Sequence, residues 1–497
     1  MLRRRDLLAL SSSLAFQPKP DRPNLLFLMA DQHRGDCLGA EGNRAIQTPH
    51  LDRLAKEGAR FRCAYTSTPS CTPARAGLLT GMSPWQHGML GYNRVADQYA
   101  VEKPRVLREA GYYTAVIGKL HYSPQRHLHG YDWAALDESG REESVDFRSD
   151  YRAWFASEAP GLNPDATGLG FNDYDAKSYA LPERLHPTTW TGGVATRFIE
   201  NYSRPQPFFL KVSFARPHSP YDPPARWMRH YDSVKLPAAQ TGDWAQRFAP
   251  KSSDRSDLWH GDLGAEQVRR SRAGYYGAIS FVDEQIGRIL GALEKRGQLE
   301  NTLIIYTSDH GDMTGDHHLW RKSYAYEASA RVPMLMRWPK GMLTAQRGQV
   351  FQQPVELRDI LPTLADAAGR SVSEACDGRS LLELIRRKGA GWRETLDLEH
   401  DVTYGPENHW NALTDGRMKY IFHARDGEEH LFDLAADAHE LRNLASHTAH
   451  GAALREWRSR MIAHLSVRGE RWVKNGNLAL RPTADGLGPL YPRPKKA

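Results

Sequence analysis

The chain has 497 residues, 40% hydrophobic and 25% charged, an ordinary globular composition. A chain of this length buries roughly 75% of the surface its unfolded form exposes, so it needs no covalent staples to fold. No apolar run approaches the ~18 residues that would read as a membrane span. The formal net charge of +7 argues against nucleic acid once it is split by position. Residues 1–20 carry Arg3, Arg4, Arg5 and Lys19 against Asp6, and residues 491–497 carry Arg493, Lys495 and Lys496. Each end contributes +3 and leaves +1 for the rest. A nucleic-acid binder gathers its cations on a folded face or stripe.

The N-terminus predicts export. Three arginines precede the apolar stretch 7–16, and Ser13-Leu14-Ala15 supplies small residues for cleavage. Arg4-Arg5-Asp6-Leu7-Leu8 fits a twin-arginine signal, with an ordinary Sec signal as the other reading. Either route implies export machinery as a partner and a periplasmic or extracellular location. Four cysteines, Cys37, Cys63, Cys71 and Cys376, are too few for a disulfide framework, and none lies in a CxxC.

Past residue 20, strand and helix signals alternate. Residues 24–29 form a continuous apolar run, as in a strand covered on both faces. A helix is predicted over 49–57, with Thr48 as N-cap, Pro49 at its first position and Gly58 past its end. Core strands follow at 113–117 and 208–214. A long helical pattern over 265–296 stops at Gly297. Strands at 302–307 and 332–336 come next, the proline of the latter placing it at a strand start or edge. Segments 137–186 and 240–264 are aperiodic and read as insertions. Beyond about residue 379 the pattern becomes a hairpin, 411–413 and 418–423 around Asp415-Gly416, then a strand at 430–434 and a helix at 451–465. The fold class expected is α/β: a large mixed, mostly parallel sheet sandwiched by helices, with a small C-terminal α+β subdomain. The divisions are an export signal at 1–20, the α/β domain at 21–378, the subdomain at 379–470 and a tail at 471–497.

Ligands of such sheets bind beyond the carboxyl ends of the strands, and ionisable or polar residues recur there. Asp31 and Gln32 follow the first strand, Lys119 and His121 the second, Arg216 and His218 the third, Asp309 and His310 the fourth. Between them lies Cys71-Thr72-Pro73-Ala74-Arg75, continuing through Gly77-Leu78-Leu79-Thr80-Gly81. Pro73 suits a helix start, so Cys71 falls at a helix N-terminus, where free N–H groups favour an anion. Arg75, one turn in, can aim back at the same point. Asp31, Gln32, Asp309 and His310 offer three oxygens and an imidazole, a donor set suited to a hard divalent cation.

Cys71-x-Pro73-x-Arg75 with its Leu-Thr-Gly extension resembles the motif of the sulfatase family, within the alkaline phosphatase-like superfamily. Residues 24–36, 48–58, Gly118-Lys119-Leu120-His121, Asp309-His310-Gly311 with Lys322 and Tyr326-Glu327, and 431–444 are similar to further family segments, so the resemblance spans about 22–465. It implies an alkaline phosphatase-like fold and hydrolysis of sulfate esters. It also implies oxidation of Cys71 to formylglycine by a maturation enzyme. The metal would be held by Asp31, Gln32, Asp309, His310 and the oxygen at position 71. Gln32 stands where many members carry Asp, which removes one negative charge; Ca²⁺ is favoured, with Mn²⁺ or Mg²⁺ as the alternatives.

The implied mechanism follows from the aldehyde. Its hydrate attacks sulfur in line and expels the alcohol, and the second hydroxyl then loses its proton and ejects sulfate. Arg75 and Lys119 would hold the diol and neutralise sulfate oxygens, His121 would take the second proton, and His218 and Lys322 would serve the leaving oxygen. For His317 and His318 the two readings are substrate contact or loop structure. For His409 and Trp410 they are a wall for a sugar ring or core packing. A small sulfated substrate of the carbohydrate class is expected. The alternatives are a phosphodiesterase or phosphonate monoester hydrolase, against which Lys119-x-His121 argues, and a non-catalytic binder of sulfated glycans.

Overall fold

The computed structural model describes residues 22–141, 146–406 and 408–493; the export reading at 1–20 lies outside them. The strand β1 (Asn24–Asp31) is buried along its whole length. Leu25, Phe27 and Met29 enter the core on one side of the sheet, and Leu26, Leu28 and Ala30 the core on the other. Side chains of a strand alternate between faces, so a strand covered twice has no polar face to show.

The main sheet contains β1, β2 (Ala59–Phe61), β3 (Tyr113–Gly118), β4 (Trp133–Leu136), β5 (Phe208–Pro217), β6 (Thr302–Ser308), β7 (Met334–Arg337) and β8 (Gln349–Phe351). Their spatial order is β4-β3-β5-β1-β6-β7-β2-β8. β1 is central, with Leu25 opposite Phe209 on one neighbour and Leu303 on the other, both pairings parallel. Only β7 runs against its neighbours. It starts after Pro333, which has no N–H for a ladder, while Val332 donates instead to Ala64 O. Helices cover both faces. Gly264–Lys295 buries Val282, Ile286, Ile289 and Leu293 on one; Cys71–Thr80 buries Leu78 and Leu79 on the other. The expected mostly parallel sheet between helices is the fold observed. The three-residue strands β2 and β8 are too short to leave a pattern in the sequence.

The C-terminal unit is an antiparallel sheet in chain order, β9 (Leu396–His400), β10 (Trp410–Thr414), β11 (Met418–His423) and β12 (Glu429–Asp433). Gly416 takes φ +83° in the β10–β11 turn, a conformation glycine adopts without steric cost. The helix Gly451–Ser466 packs Trp457, Met461 and Leu465 onto this sheet. Residues 486–491 reach back to the large domain, where Leu90 N donates to Gly486 O at 3.0 Å. Tyr491 lies so close to Gly88 that a Cβ there would stand 2.2 Å from its backbone nitrogen. Among the described residues, no helix is long and apolar enough to cross a membrane.

Candidate active site

Four strand ends and one helix start converge on a single buried centre. Asp31 and Gln32 close β1; Lys119 and His121 follow β3; His218 follows β5; Asp309 and His310 follow β6; Lys322 comes from the loop beyond. Asp31, Arg75, Lys119, Asp309 and His310 are fully buried, and Gln32, Cys71, His121, His218 and Lys322 nearly so. Gln32, His121, Arg321 and Ser323 hold φ between +60° and +78°. Non-glycine residues reach this region at a cost of about 1–3 kcal/mol each, and such strain clusters at functional sites. Here it turns side chains from strand ends and loops inward.

Arg75 sorts the two carboxylates. Its Nε donates to Asp309 Oδ2 at 3.0 Å and its Nη2 to Asp31 Oδ2 at 2.9 Å, so each carboxylate spends Oδ2 on the guanidinium. Lys119 Nζ adds an ion pair to Asp31 Oδ2 at 2.5 Å. Asp31 Oδ1 is left buried with no hydrogen-bond partner, which costs free energy unless something positive meets it. His310 Nε2 lies 3.9 Å from that oxygen, 3.8 Å from Asp309 Oδ1 and 3.2 Å from Cys71 Sγ. His310 Nδ1 is held by Gly311 O at 2.9 Å, which fixes Nδ1 as the protonated nitrogen and leaves the Nε2 lone pair facing inward. Gln32 Nε2 donates to Asp312 Oδ2 at 2.5 Å, so its Oε1 also faces inward. Ligand atoms of Asp31, Cys71, Asp309 and His310 all lie within 4.8 Å of one another. The orphaned oxygen, the directed imidazole and the directed amide fit a hard divalent cation. A second grouping, His423, Glu428 and His430, lies in the C-terminal sheet, but there Glu428 is already paired with Arg247.

Cations crowd the rest of the centre. Lys322 Nζ reaches Gln32 Oε1 at 2.9 Å, Cys71 Sγ at 3.3 Å and His218 Nε2 at 2.8 Å. His218 Nδ1 donates to Ser219 O at 2.9 Å, so Nε2 is the acceptor for Lys322. Burial disfavours the Asp31 charge, yet the cations Lys119 and Arg75 hold its carboxyl well below the usual range. Burial and the neighbouring cations push His121 and His218 down, so both imidazoles are neutral. Burial raises the Cys71 thiol and Asp31 adds to that, but the cations around it, Lys322 and Lys119 foremost, outweigh both and bring it to about 6. Burial leaves Cys63 and Cys376 at about 11. Among the four free cysteines, Cys71 is the one whose Sγ meets both a lysine ammonium and an imidazole.

Sequence reasoning missed three supports. Glu138 accepts the backbone N–H groups of Leu120 at 2.8 Å and His121 at 3.1 Å, fixing the Lys119–His121 turn. Asp312 orients Gln32. Tyr92, half exposed, has its hydroxyl 3.2 Å from His121 Nε2. Asp312 follows Asp309-His310-Gly311 and was open to notice; Glu138 sits in an aperiodic stretch with no signal.

Of the weaker candidates, His317, His409 and Trp410 are buried and His318 is partly exposed. His317 is buried, with Nδ1 accepting from Gly242 N at 3.1 Å and its ring 4.6 Å from Trp244. His318 accepts Gly261 N at its carbonyl, 2.8 Å away. His409 faces Asp401 at 3.1 Å. Trp410 is 1% exposed and donates to Ser323 O at 3.0 Å, which braces the loop carrying Lys322.

Residues 23–370 match a family model described as Sulfatase. Residues 315–466 match one described as N-sulphoglucosamine sulphohydrolase, C-terminal. An arylsulfatase of Clostridium perfringens is 38% identical over 474 residues, covering 93% of this chain and 98% of that protein. A choline-sulfatase of Rhizobium meliloti is 32% identical over 495 residues, covering 91% and 90%. The solved phosphonate monoester hydrolase of Agrobacterium radiobacter superposes with a TM-score of 0.76 at 27% identity, covering 90% of this chain and 96% of that one.

Proposed function

This chain belongs to the sulfatase family and is a sulfuric ester hydrolase, and on that premise we propose that it cleaves small sulfate monoesters of the carbohydrate class at Cys71 oxidised to formylglycine. One observation carries the reading. Cys71 opens a helix with its Sγ against both His310 Nε2 and Lys322 Nζ, between two carboxylates that Arg75 holds by one oxygen each. The C-terminal match to a sulphoglucosamine hydrolase model supports a sugar substrate.

Asp31, Gln32, Asp309 and His310, with the oxygen at position 71, would hold one divalent metal, Ca²⁺ first and Mn²⁺ or Mg²⁺ as alternatives. When bound, that ion supplies positive charge that stabilises a developing oxyanion. Arg75 keeps the carboxylates ordered and Lys119 neutralises them and the sulfate oxygens together. A cation 4 Å from a sulfate charge is worth about 4 kcal/mol at an effective dielectric near 20. Lys322 is the group with protons to give, and its hydrogen bond to His218 Nε2 aims it at the leaving oxygen; such general-acid help is worth ~10²–10⁴ in rate. His121, neutral and with Nδ1 lacking a partner, is the base for the proton that must leave before sulfate is ejected. The same reading takes a formylglycine-generating enzyme as maturation partner, and export by the signal at residues 1–20 to a periplasmic or extracellular location.

Turnover of an aryl sulfate against a phosphate diester or phosphonate monoester tests it. The sulfate should be strongly preferred, and Cys71→Ala should abolish its hydrolysis. Preference for the phosphorus ester would transfer the function to that branch of the superfamily.

A further inference from the structure

Arg75, Lys119 and Lys322 are not the only cations at this centre. Arg141 enters from the insertion that follows β4, half-buried, with its Nη2 3.3 Å from His218 Nε2. That nitrogen already accepts Lys322 Nζ at 2.8 Å, so it cannot also satisfy the guanidinium. Arg141 Nη1 is buried with no hydrogen-bond partner. Among the described residues, no carboxylate forms an ion pair with it. Its contact with His218 Nε2 places it on the imidazole side of the centre, and its positive charge disfavours protonation at Lys119, His121, His218 and Lys322 alike.

A guanidinium held among like charges with a buried, unsatisfied N–H is unfavourable until an anion arrives. Its planar fork matches the oxygens of a tetrahedral oxyanion in a way an ammonium does not. The carboxylate side of the centre is filled by Arg75 and Lys119. The imidazole side is where a sulfuryl group meeting position 71 would present its remaining oxygens.

We propose that Arg141 is a substrate-binding residue that grips the sulfuryl oxygens of the ester from the imidazole side, so that the insertion after β4 completes the sulfate pocket. The proposal rests on sulfate esters reacting at position 71, and its test separates the two. Inorganic sulfate binding is measured by calorimetry on the full-length wild type, Arg141→Gln and Arg141→Lys, alongside kcat and KM for a monoanionic aryl sulfate. Arg141→Gln should weaken inorganic sulfate at least ~10-fold and raise KM in step, with Arg141→Lys recovering part of the loss and both melting with the wild type. Sulfate affinity unchanged in Arg141→Gln overturns the proposal, as does a loss seen only with substrates bearing a second anionic group. A melting point lowered in Arg141→Gln and restored by lysine with no recovery of sulfate binding also overturns it, by assigning Arg141 to structure. Wild-type protein that binds sulfate through Arg141 but hydrolyses no sulfate ester would leave this residue's role standing and defeat the reading of position 71.

Discussion

Lys419→Met should loosen the joint between the C-terminal sheet and the loop that carries Lys322. Lys419 sits in β11, fully buried, and its ammonium donates to Glu440 Oε1 at 2.9 Å, Glu327 Oε1 at 2.8 Å and Ala325 O at 2.9 Å. Methionine fills the same space but leaves the carboxylates behind. Glu327 keeps Arg331 at 3.0 Å; Glu440 keeps only the Glu327 backbone N–H at 2.7 Å. Removing one partner of a buried ion pair costs about 3–5 kcal/mol. The cost depends on pH. Burial already raises Glu440 to about 7, against the pull of Lys419, and losing Lys419 raises it further. A carboxyl whose folded pKa lies above its unfolded value favours folding below the unfolded pKa, near 4.5, and that contribution is lost as pH rises through the folded one. The variant's deficit should therefore be smallest near pH 5 and should grow as pH rises through 7. Urea unfolding followed by tryptophan fluorescence at pH 5 and pH 8 measures it, and kcat should fall because Ala325 O no longer anchors the Lys322 loop. A deficit under about 1 kcal/mol at pH 8, or one that does not change with pH, would refute this account of the joint.

Two further perturbations probe the centre itself. Lys322→Ala should lower kcat for an alkyl sulfate by ~10²–10⁴ while the circular dichroism spectrum stays native; near-normal turnover would remove Lys322 from the leaving-group side. Asp312→Ala should free the Gln32 amide to rotate and weaken divalent-metal binding by ~10–100-fold, the usual effect of losing a group that orients a ligand. Metal titration with a competing chelator reads it, and an unchanged affinity would mean that Gln32 Oε1 is not a ligand.

Much of the fold was legible because the central strands are buried twice. β1, β3, β5 and β6 appear as apolar runs, and their polar ends fall where parallel sheets place ligands. The long helix Gly264–Lys295 declares itself by periodicity and by Gly297 after it. What escaped is what has no period. Glu138 and Arg141 lie in a stretch rich in polar and turn-forming residues, and only tertiary contact brings them to the centre. Thr48 illustrates a signal with a different use: it precedes the helix Pro49–Lys56, but its hydroxyl accepts from Gly39 N at 2.9 Å and donates to Asp52 at 3.1 Å instead of capping the helix. For Trp410 and His409 residue type leaves a sugar wall and core packing both open; in the structure both are buried and Trp410 donates to Ser323 O. The net charge as a total says little about this centre, where Arg75, Lys119, Lys322 and Arg141 meet while the excess lies at the two ends of the chain.

The central claim is that the side chain at position 71 is no longer a thiol in the active enzyme. Mass spectrometry of the peptide spanning Cys71, from protein produced together with a formylglycine-generating enzyme and shown to hydrolyse an aryl sulfate, tests this most directly. The account predicts that this peptide has lost sulfur and gained an aldehyde oxygen, in a fraction that rises with specific activity. Fully active protein whose Cys71 peptide carries an intact thiol would contradict it.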